Sequence, residues 1–143
     1  MPRRYAVERT IAAPSEIVWR LLTDAGSYLD WNDAVVSITG PIAEGRDIEL
    51  VSIADPKRTF TLHVEEIIEP ARMVWTDGMP LGLFRGTRTY EVSADGESTR
   101  FSMVEEFTGP LAGLITRMIP DLTESFALFA DGLQSAAEAQ SSA

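Results

Sequence analysis

Residues 109–139 read GPLAGLITRMIPDLTESFALFADGLQSAAEA, and this stretch decides how the rest of the chain folds. Its apolar positions recur at steps of three and four with polar residues between them, which is the period of an amphipathic helix. Pro110 suits the first turn of a helix, whereas Pro120 removes a backbone hydrogen bond inside the pattern. We therefore predict a helix that is interrupted at Pro120, with a short piece followed by a longer one. Its apolar face consists of Leu111, Leu114, Ile115, Met118, Leu122, Phe126, Phe129 and Leu133.

The composition indicates one globular domain with an excess of acidic residues. The chain has 143 residues, of which 45% are hydrophobic, and its 12 basic and 22 acidic residues give a net charge of −10 at pH 7. This charge disfavours binding to nucleic acids and to anionic membrane surfaces. The chain has no cysteine, no signal-peptide pattern and no apolar stretch approaching the roughly 20 residues of a membrane span. We expect a cytoplasmic protein without stable membrane insertion, and the composition leaves its oligomeric state open.

The remaining chain is mostly strand-like and is divided by turn residues. Residues 4–11 alternate in polarity as a first strand, Pro14 and Glu16 start a helix that ends near Asp24, and a second short helix follows at 25–31. Short turns join the later strands, so neighbouring strands must be antiparallel. We predict an α+β fold with one seven-stranded sheet, one long C-terminal helix and a fraying tail after Ala136. The six later strands are predicted at 33–39, 47–53, 58–68, 73–76, 83–93 and 99–108.

The last two predicted strands form a hairpin whose register can be predicted. An antiparallel sheet with one covered face alternates apolar and polar residues, and both strands show this alternation. If the turn at 94–98 closes a regular hairpin, Arg88 lies opposite Glu105 and Tyr90 lies opposite Met103. A charged pair is thus expected among apolar neighbours on the concave face. The other residues predicted on this inner face are Phe60, Leu62, Val64, Met73, Trp75, Phe84, Gly86, Val92, Phe101 and Phe107.

Four segments of the sequence resemble a known superfamily. They are APSEIVWRLLTDAGSYLDWN at 13–32, EEIIEPARMVWTDG at 65–78, LFRGTRTYEV at 83–92 and EEFTGPLAGLI at 105–115. Their order is similar to that of the SRPBCC or START-like superfamily, which includes polyketide cyclases and dehydrases. The resemblance implies a helix-grip fold, in which a seven-stranded antiparallel sheet wraps around a long C-terminal helix over an internal cavity. Members of this superfamily differ widely in function, so the resemblance assigns no catalytic residue.

Few side chains are candidates for chemistry. The single histidine, His63, is predicted on the outer face because its two neighbours in the strand point inward. The sequence has neither a metal-binding pattern nor a nucleotide-binding loop, so we expect no metal and no cofactor. Trp31, Asn32 and Asp33 follow the short helix and are expected at the mouth of the cavity. The candidates for catalysis are Glu105, Arg88, Tyr90 and Asp33. The residues predicted to bind a ligand are Trp31, Asn32, Phe60, Leu62, Trp75, Arg88, Tyr90, Phe101, Met103, Glu105, Leu122, Phe126 and Phe129.

These polar residues support two hypotheses and leave a third open. Arg88 should keep the buried carboxylate of Glu105 ionised and suited to the role of a general base. The favoured hypothesis is a binding or carrier domain for a hydrophobic small molecule, such as a lipid, a polyketide or an aromatic metabolite, whose polar end points towards Arg88. The alternative is a cyclase or dehydratase in which Glu105 or Asp33 removes a proton and Arg88 or Tyr90 stabilises the enolate. A regulatory domain would instead present an apolar surface patch.

Overall fold

A computed structural model describes residues 4–142 of the chain. Within them, the strands are β1 (Arg4–Ile11), β2 (Val35–Thr39), β3 (Asp47–Ser52), β4 (Phe60–Ile68), β5 (Arg72–Gly78), β6 (Arg85–Asp95) and β7 (Ser98–Thr108). The α-helices are α1 (Ser15–Thr23), α2 (Tyr28–Trp31), α3 (Ala112–Ile115) and α4 (Thr123–Ser142). Short 3₁₀ turns lie at Ala25–Ser27 and Pro80–Gly82. The predicted α+β organisation is confirmed.

The seven strands of the described chain form one antiparallel sheet. Their order is β1-β7-β6-β5-β4-β3-β2, so β2 to β7 each lie beside their neighbour in sequence. The first strand pairs with the last one, because α1 and α2 carry the chain from β1 to the opposite edge of the sheet. This arrangement, with α4 packed against the concave face, is the fold that the sequence predicts.

The hairpin of β6 and β7 has the predicted register. Arg88 lies opposite Glu105, and Tyr90 lies opposite Met103. Tyr90 and Met103 are both fully buried, which confirms that this face of the hairpin points into the protein. The alternation of apolar residues was therefore sufficient to place the charged pair on the inner face.

The ends of the predicted strands differ from the observed ends by up to two residues. β2 begins at Val35 rather than Asp33, because the Oδ1 atom of Asn32 accepts a hydrogen bond from the backbone N–H of Ala34 at 3.1 Å. This local turn competes with strand pairing. By contrast, β5 continues to Gly78, two residues beyond its predicted end. This extension places Asp77 in the strand, next to the functional site.

The interruption of the C-terminal helix at Pro120 is confirmed. α3 ends at Ile115 and α4 begins at Thr123. The carboxylate of Asp121 accepts hydrogen bonds from the backbone N–H and the hydroxyl of Thr123 at 2.9 and 2.7 Å. Such a cap satisfies a donor that the first turn of a helix leaves unpaired. The long helix therefore starts after Pro120, and only the single turn of α3 follows Pro110.

Two residues predicted on the buried face of this helix lie on the surface. Leu114 and Met118 are 60% and 74% exposed. The single turn of α3 buries Ala112 instead, and Met118 lies in the link between the two helices, where the helical period is lost. The prediction of one continuous apolar face is wrong for these two positions.

The C-terminal tail also differs from its prediction. It was expected to fray after Ala136, but α4 continues to Ser142. The carboxylate of Glu138 accepts a hydrogen bond from the backbone N–H of Ala12 at 2.9 Å, which ties this part of the helix to the end of β1. A tertiary contact thus keeps the last turns ordered where the local sequence gives little support.

The apolar stripe of α4 fills much of the space that the sheet encloses. The ring of Phe129 lies 5.7 Å from that of Tyr90 and 5.7 Å from that of Trp31. Aromatic pairs at such distances contribute about 0.5–1.5 kcal/mol beyond the burial of their area. The buried residues of this stripe are Phe126, Phe129, Ala130, Leu133 and Ala137.

Replacing Phe126 with alanine should lower the free energy of unfolding by about 3–5 kcal/mol, because the lost side chain leaves a cavity under α4. Phe126 is only 3% exposed. Chemical denaturation measures this change. The Leu114→Ala variant is the control, and its exposed side chain should cost less than about 0.5 kcal/mol. Equal effects of the two substitutions would mean that α4 does not cover the sheet through Phe126.

Candidate functional site

A cavity of about 150 Å³ lies between the concave face of the sheet and the chain that leads into α4. β2 to β7 form one wall, and the segment from Ile115 to Phe129 forms the other. The cavity reaches the surface near Arg58 and Met118, which line it and are exposed. Most of its lining is apolar, so the few charged side chains in its wall are the features that require an explanation.

Arg88 and Glu105 form the charged centre of this wall. Because they lie opposite each other on β6 and β7, the Nε atom of Arg88 donates a hydrogen bond to Oε1 of Glu105 at 2.9 Å. Their side chains are only 19% and 11% exposed. The guanidinium carbon also lies 4.9 Å from the centre of the Phe126 ring, which is a cation–π contact. Two strands and one helix therefore hold this ion pair.

Asp77 is a third charged residue of the site, and the sequence prediction missed it. It lies opposite Gly86 in the ladder of β5 and β6 and lines the cavity. A Cβ atom built on Gly86 would lie 2.5 Å from Oδ1 of Asp77 and 3.3 Å from Oε2 of Glu105. Both carboxyl groups thus approach the space that glycine leaves free. The predicted strand ended at Thr76, but extending its alternation from Trp75 by two residues would have found Asp77.

The surroundings shift the pKa values of these three groups. Burial raises the pKa of Glu105, Arg88 opposes this rise, and the charge of Asp77 adds to it. Burial also raises the pKa of Asp77, with Arg88 and Arg58 opposing the rise. Burial lowers the pKa of Arg88, but the neighbouring Glu105 more than compensates, so this pKa lies above its ordinary value. From the sequence, burial is expected to raise the pKa of Glu105 and Arg88 to lower it, with the effect of Arg88 the larger. Burial outweighs it, and the ionised Glu105 is therefore a stronger base than a free carboxylate.

Two buried polar groups beside this cluster have no hydrogen-bond partner within residues 4–142. They are Nε1 of Trp75 and the hydroxyl of Tyr90. The Tyr90 hydroxyl lies near Arg88 but not in hydrogen-bonding geometry. Burial raises the pKa of Tyr90, with Arg88 opposing the rise, so the phenol stays protonated at neutral pH. Neither group is placed to take a proton from a ligand.

Nine of the thirteen residues predicted to bind a ligand line the cavity. Tyr90 and Phe101 do not, because both are fully buried at the end of the sheet that α4 covers, where Phe129 packs against Tyr90. The role of the nine lining residues in ligand binding stays a prediction. They are Phe60, Leu62, Trp75, Arg88, Met103, Glu105, Leu122, Phe126 and Phe129.

The three residues expected at the cavity mouth lie elsewhere. Trp31 packs against Phe129 beneath α4, and its Nε1 donates a hydrogen bond to the hydroxyl of Ser27 at 3.1 Å. Asn32 is 2% exposed and belongs to the turn before β2, while Asp33 is exposed to solvent. None of the three lines the cavity, because α2 lies beneath α4 rather than beside the opening. Asp33 itself does not line the cavity, although Ala34 and Val35, the next two residues, do.

His63 lies on the outer face of the sheet, as predicted. Its Nδ1 atom lies 2.8 Å from Oδ1 of Asp47, and its side chain is 46% exposed. Across residues 4–142, no group of three or more His, Asp or Glu side chains is arranged to bind a metal ion. No helix in the described part of the chain is long and apolar enough to cross a membrane.

The curved sheet, its long helix and the cavity between them define a protein of the START-like helix-grip class. The chain belongs to the family described as "Polyketide cyclase / dehydrase and lipid transport", whose model matches residues 2–138. This confirms the family resemblance of the sequence segments. The comparison with curated proteins gave no match, so the family description is the most specific statement that sequence likeness supplies.

Solved structures from several bacteria have the same fold. The chain is 27% identical to TTHA0849 from Thermus thermophilus, with a TM-score of 0.72 over 96% of this chain and 99% of that one. It is 15% identical to the Zhui aromatase/cyclase from a Streptomyces species, with a TM-score of 0.70 over 96% and 94% of the two chains. A START superfamily protein from Mycobacterium smegmatis has a TM-score of 0.70 at 14% identity, over 97% and 99%. At these low identities the last two likenesses show the fold alone.

A double-mutant cycle on Arg88 and Glu105 tests the buried pair. Arg88→Met leaves Glu105 and Asp77 without their nearest cation and should cost about 3–5 kcal/mol of unfolding free energy. Glu105→Leu should cost less, because Asp77 still provides a negative charge near Arg88. In the double variant, the loss should be smaller than the sum of the single losses by more than about 1 kcal/mol. Urea denaturation measures all three changes, and additive losses would show that the two side chains do not interact.

Proposed function

We propose that this protein binds a small apolar molecule in the cavity, with one polar group of that molecule against Arg88, Glu105 and Asp77. The observation that carries the proposal is an apolar wall with a single charged cluster set into it. Such a composition is typical of ligand pockets, in which apolar contacts supply affinity and a few polar groups fix the orientation. The family description, which includes lipid transport, supports the same general role.

The volume of the cavity limits the size of the ligand. At about 150 Å³ it is smaller than the roughly 300–1,000 Å³ that is usual for pockets of drug-sized ligands. An apolar protein cavity of about 150 Å³ is large enough to bind benzene. We therefore propose a ligand with one ring and short substituents, such as a monocyclic aromatic metabolite. A long acyl chain or a polycyclic polyketide would enter only if the cavity opened further.

Calorimetric titration with p-cresol tests this proposal. This probe has one ring, one methyl group and one hydroxyl group, so it should bind with a stoichiometry near one-to-one. Ile119→Trp should weaken binding by about tenfold or more, because the indole would occupy space beside the opening. Ile119 lines the cavity, whereas Leu114 is exposed and does not.

Leu114→Trp is therefore the matched control and should leave the affinity for p-cresol unchanged. Palmitate should not bind to the unmodified protein, because its chain exceeds the volume of the cavity. Failure of p-cresol to bind, or an equal loss in the two tryptophan variants, would contradict the proposal.

A second candidate function is proton abstraction from a carbonyl compound. The raised pKa of Glu105 favours it, because a stronger carboxylate base lies in a cavity beside a guanidinium that can stabilise an enolate. Asp33, the other base considered from the sequence, is exposed to solvent and does not line the cavity. The family description includes cyclases and dehydrases, whose chemistry requires such proton transfers. In this role Glu105 is the base and Arg88 is the hydrogen-bond donor.

Exchange of the methyl protons of acetophenone in D₂O, followed by proton NMR, separates the two functions. An enzyme should accelerate this exchange by about 10²–10⁴-fold, the usual contribution of a positioned base. Glu105→Gln should abolish the acceleration while acetophenone still binds, because the amide keeps the shape but cannot take the proton. Binding of acetophenone without any acceleration of proton exchange would contradict the enzymatic function and support the binding function.

A further inference from the structure

The charged cluster in the cavity wall contains more negative than positive groups. Arg88 and Arg58 supply two positive charges to the cavity wall, while Glu105, Asp77 and Asp55 supply three negative charges when all are ionised. The Nε atom of Arg88 already bonds to Glu105 and its guanidinium carbon lies over the ring of Phe126, so part of its charge is balanced within the protein. Asp77 has no hydrogen bond and no ion pair within 4.0 Å among the residues that the structure describes. The charged side chains that line the cavity therefore carry one negative charge in excess, and the carboxylate of Asp77 makes no direct ion pair.

Glu105 presents a second free acceptor at the same place. Its Oε1 atom receives the hydrogen bond from Arg88, but its Oε2 atom receives none from any residue in the range 4–142. Glu105 is 8% exposed as a whole residue, and its Oε2 atom is not among the fully buried polar atoms. Oε2 and the Oδ1 atom of Asp77 both lie within 3.3 Å of the position that a Cβ of Gly86 would take. Two carboxyl oxygens without a hydrogen-bond partner thus lie close to each other beside Gly86 in the cavity wall.

We propose that the polar group of the ligand is a protonated amine, bound between the carboxylates of Asp77 and Glu105. This inference rests on the proposed function, since it names the chemical class of the ligand that the cavity binds. An ammonium group supplies three hydrogen-bond donors and the positive charge that the cluster lacks. A ligand carboxylate would instead add a further negative charge beside Asp77 and Glu105, where like charges repel.

The aromatic lining of the cavity favours the same ligand class. Trp75, Phe84 and Phe107 line the cavity, and Phe107 borders the space over Gly86, with its Cε1 atom 3.5 Å from the position that a Cβ of that glycine would take. Aromatic faces and edges of this kind accept an aromatic ring, and their faces attract ammonium groups. The net charge of −10 also raises the local concentration of cations at the surface. The structure thus points to a small arylalkylamine, with one ring and a short chain that ends in nitrogen.

Calorimetric titration at pH 7 with three matched probes tests this inference. The probes are 2-phenylethylamine, 2-phenylethanol and 3-phenylpropanoate, which have similar size and differ in charge. We expect the amine to bind about tenfold more tightly than the alcohol, the change that one nearby charge typically supplies, and the carboxylate to bind most weakly.

Two variants locate the effect at Asp77. Asp77→Asn removes the carboxylate charge that makes no direct ion pair, and the ratio of amine to alcohol affinity should fall by about tenfold. Gly86→Ala keeps every charge, but its new Cβ would lie 2.5 Å from Oδ1 of Asp77 and must displace that carboxylate. The same ratio should fall in this variant. Asp95→Asn is the control, because it changes the net charge equally at an exposed position at the other end of β6 and should leave the ratio unchanged.

The outcomes separate this inference from the proposed function. If the alcohol binds and the carboxylate binds at least as tightly as the amine, Arg88 selects an anion and the inference is overturned, while the proposed function stands. An affinity ratio that survives both Asp77→Asn and Gly86→Ala also overturns it, because the amine would then be bound elsewhere. If none of the three probes binds, the proposed function itself fails.

Discussion

A single long helix has to cover the concave face of a seven-stranded sheet, and the rest of the structure depends on this constraint. Where α4 is continuous, its apolar stripe excludes water from the sheet, and residues such as Tyr90 and Phe101 are fully buried beneath it. Before Thr123 the cover is thinner, because Pro120 interrupts the helix. The cavity lies under this interrupted part, and Ile119 and Pro120 belong to its lining. A break in one helix therefore determines where the protein keeps internal space.

The charges in that space are costly for the fold. Taking an ion pair out of water requires several kcal/mol per ion, and the attraction between the partners often does no more than offset this cost. Here the free-energy cost of burying the charges is larger, since Asp77 adds a second carboxylate beside Glu105. Gly86, which has no side chain, leaves room for both carboxyl groups. The packing of α4 has to compensate for this local loss. Charged groups that a fold maintains at such cost commonly belong to functional sites.

The amino-acid sequence was sufficient to predict most of the fold. Apolar residues at period two identified the inner face of β6 and β7, and a regular turn then placed Arg88 opposite Glu105. The position of Pro120 likewise predicted where the helix breaks. Both predictions were possible because side-chain direction and backbone hydrogen bonding are determined by residues that are close in sequence.

The parts that could not be predicted depend on contacts between distant segments. Trp31 is the last residue of the short helix α2, but its location beneath α4 results from packing against Phe129. Asp77 was missed because a strand end depends on its partners, and β6 extends the pairing of β5 to Gly78. The volume of the cavity is the small difference between the space that the sheet encloses and the side chains that fill it. No property of a single segment determines that difference.

The pairing of the first strand with the last one has a consequence for how the protein folds. β1 spans Arg4–Ile11, but its partner β7 begins at Ser98. The residue after β1, Ala12, donates a backbone hydrogen bond to Glu138 of α4. During synthesis, β1 emerges before the other strands and has no partner in the sheet until β7 has been made. Contacts between such distant residues require closure of a long loop, which slows folding. The edge of the growing sheet and the apolar face that α4 later covers remain accessible to water until then. The sheet and the cavity that it encloses can therefore be completed only after β7 and the start of α4 have been made.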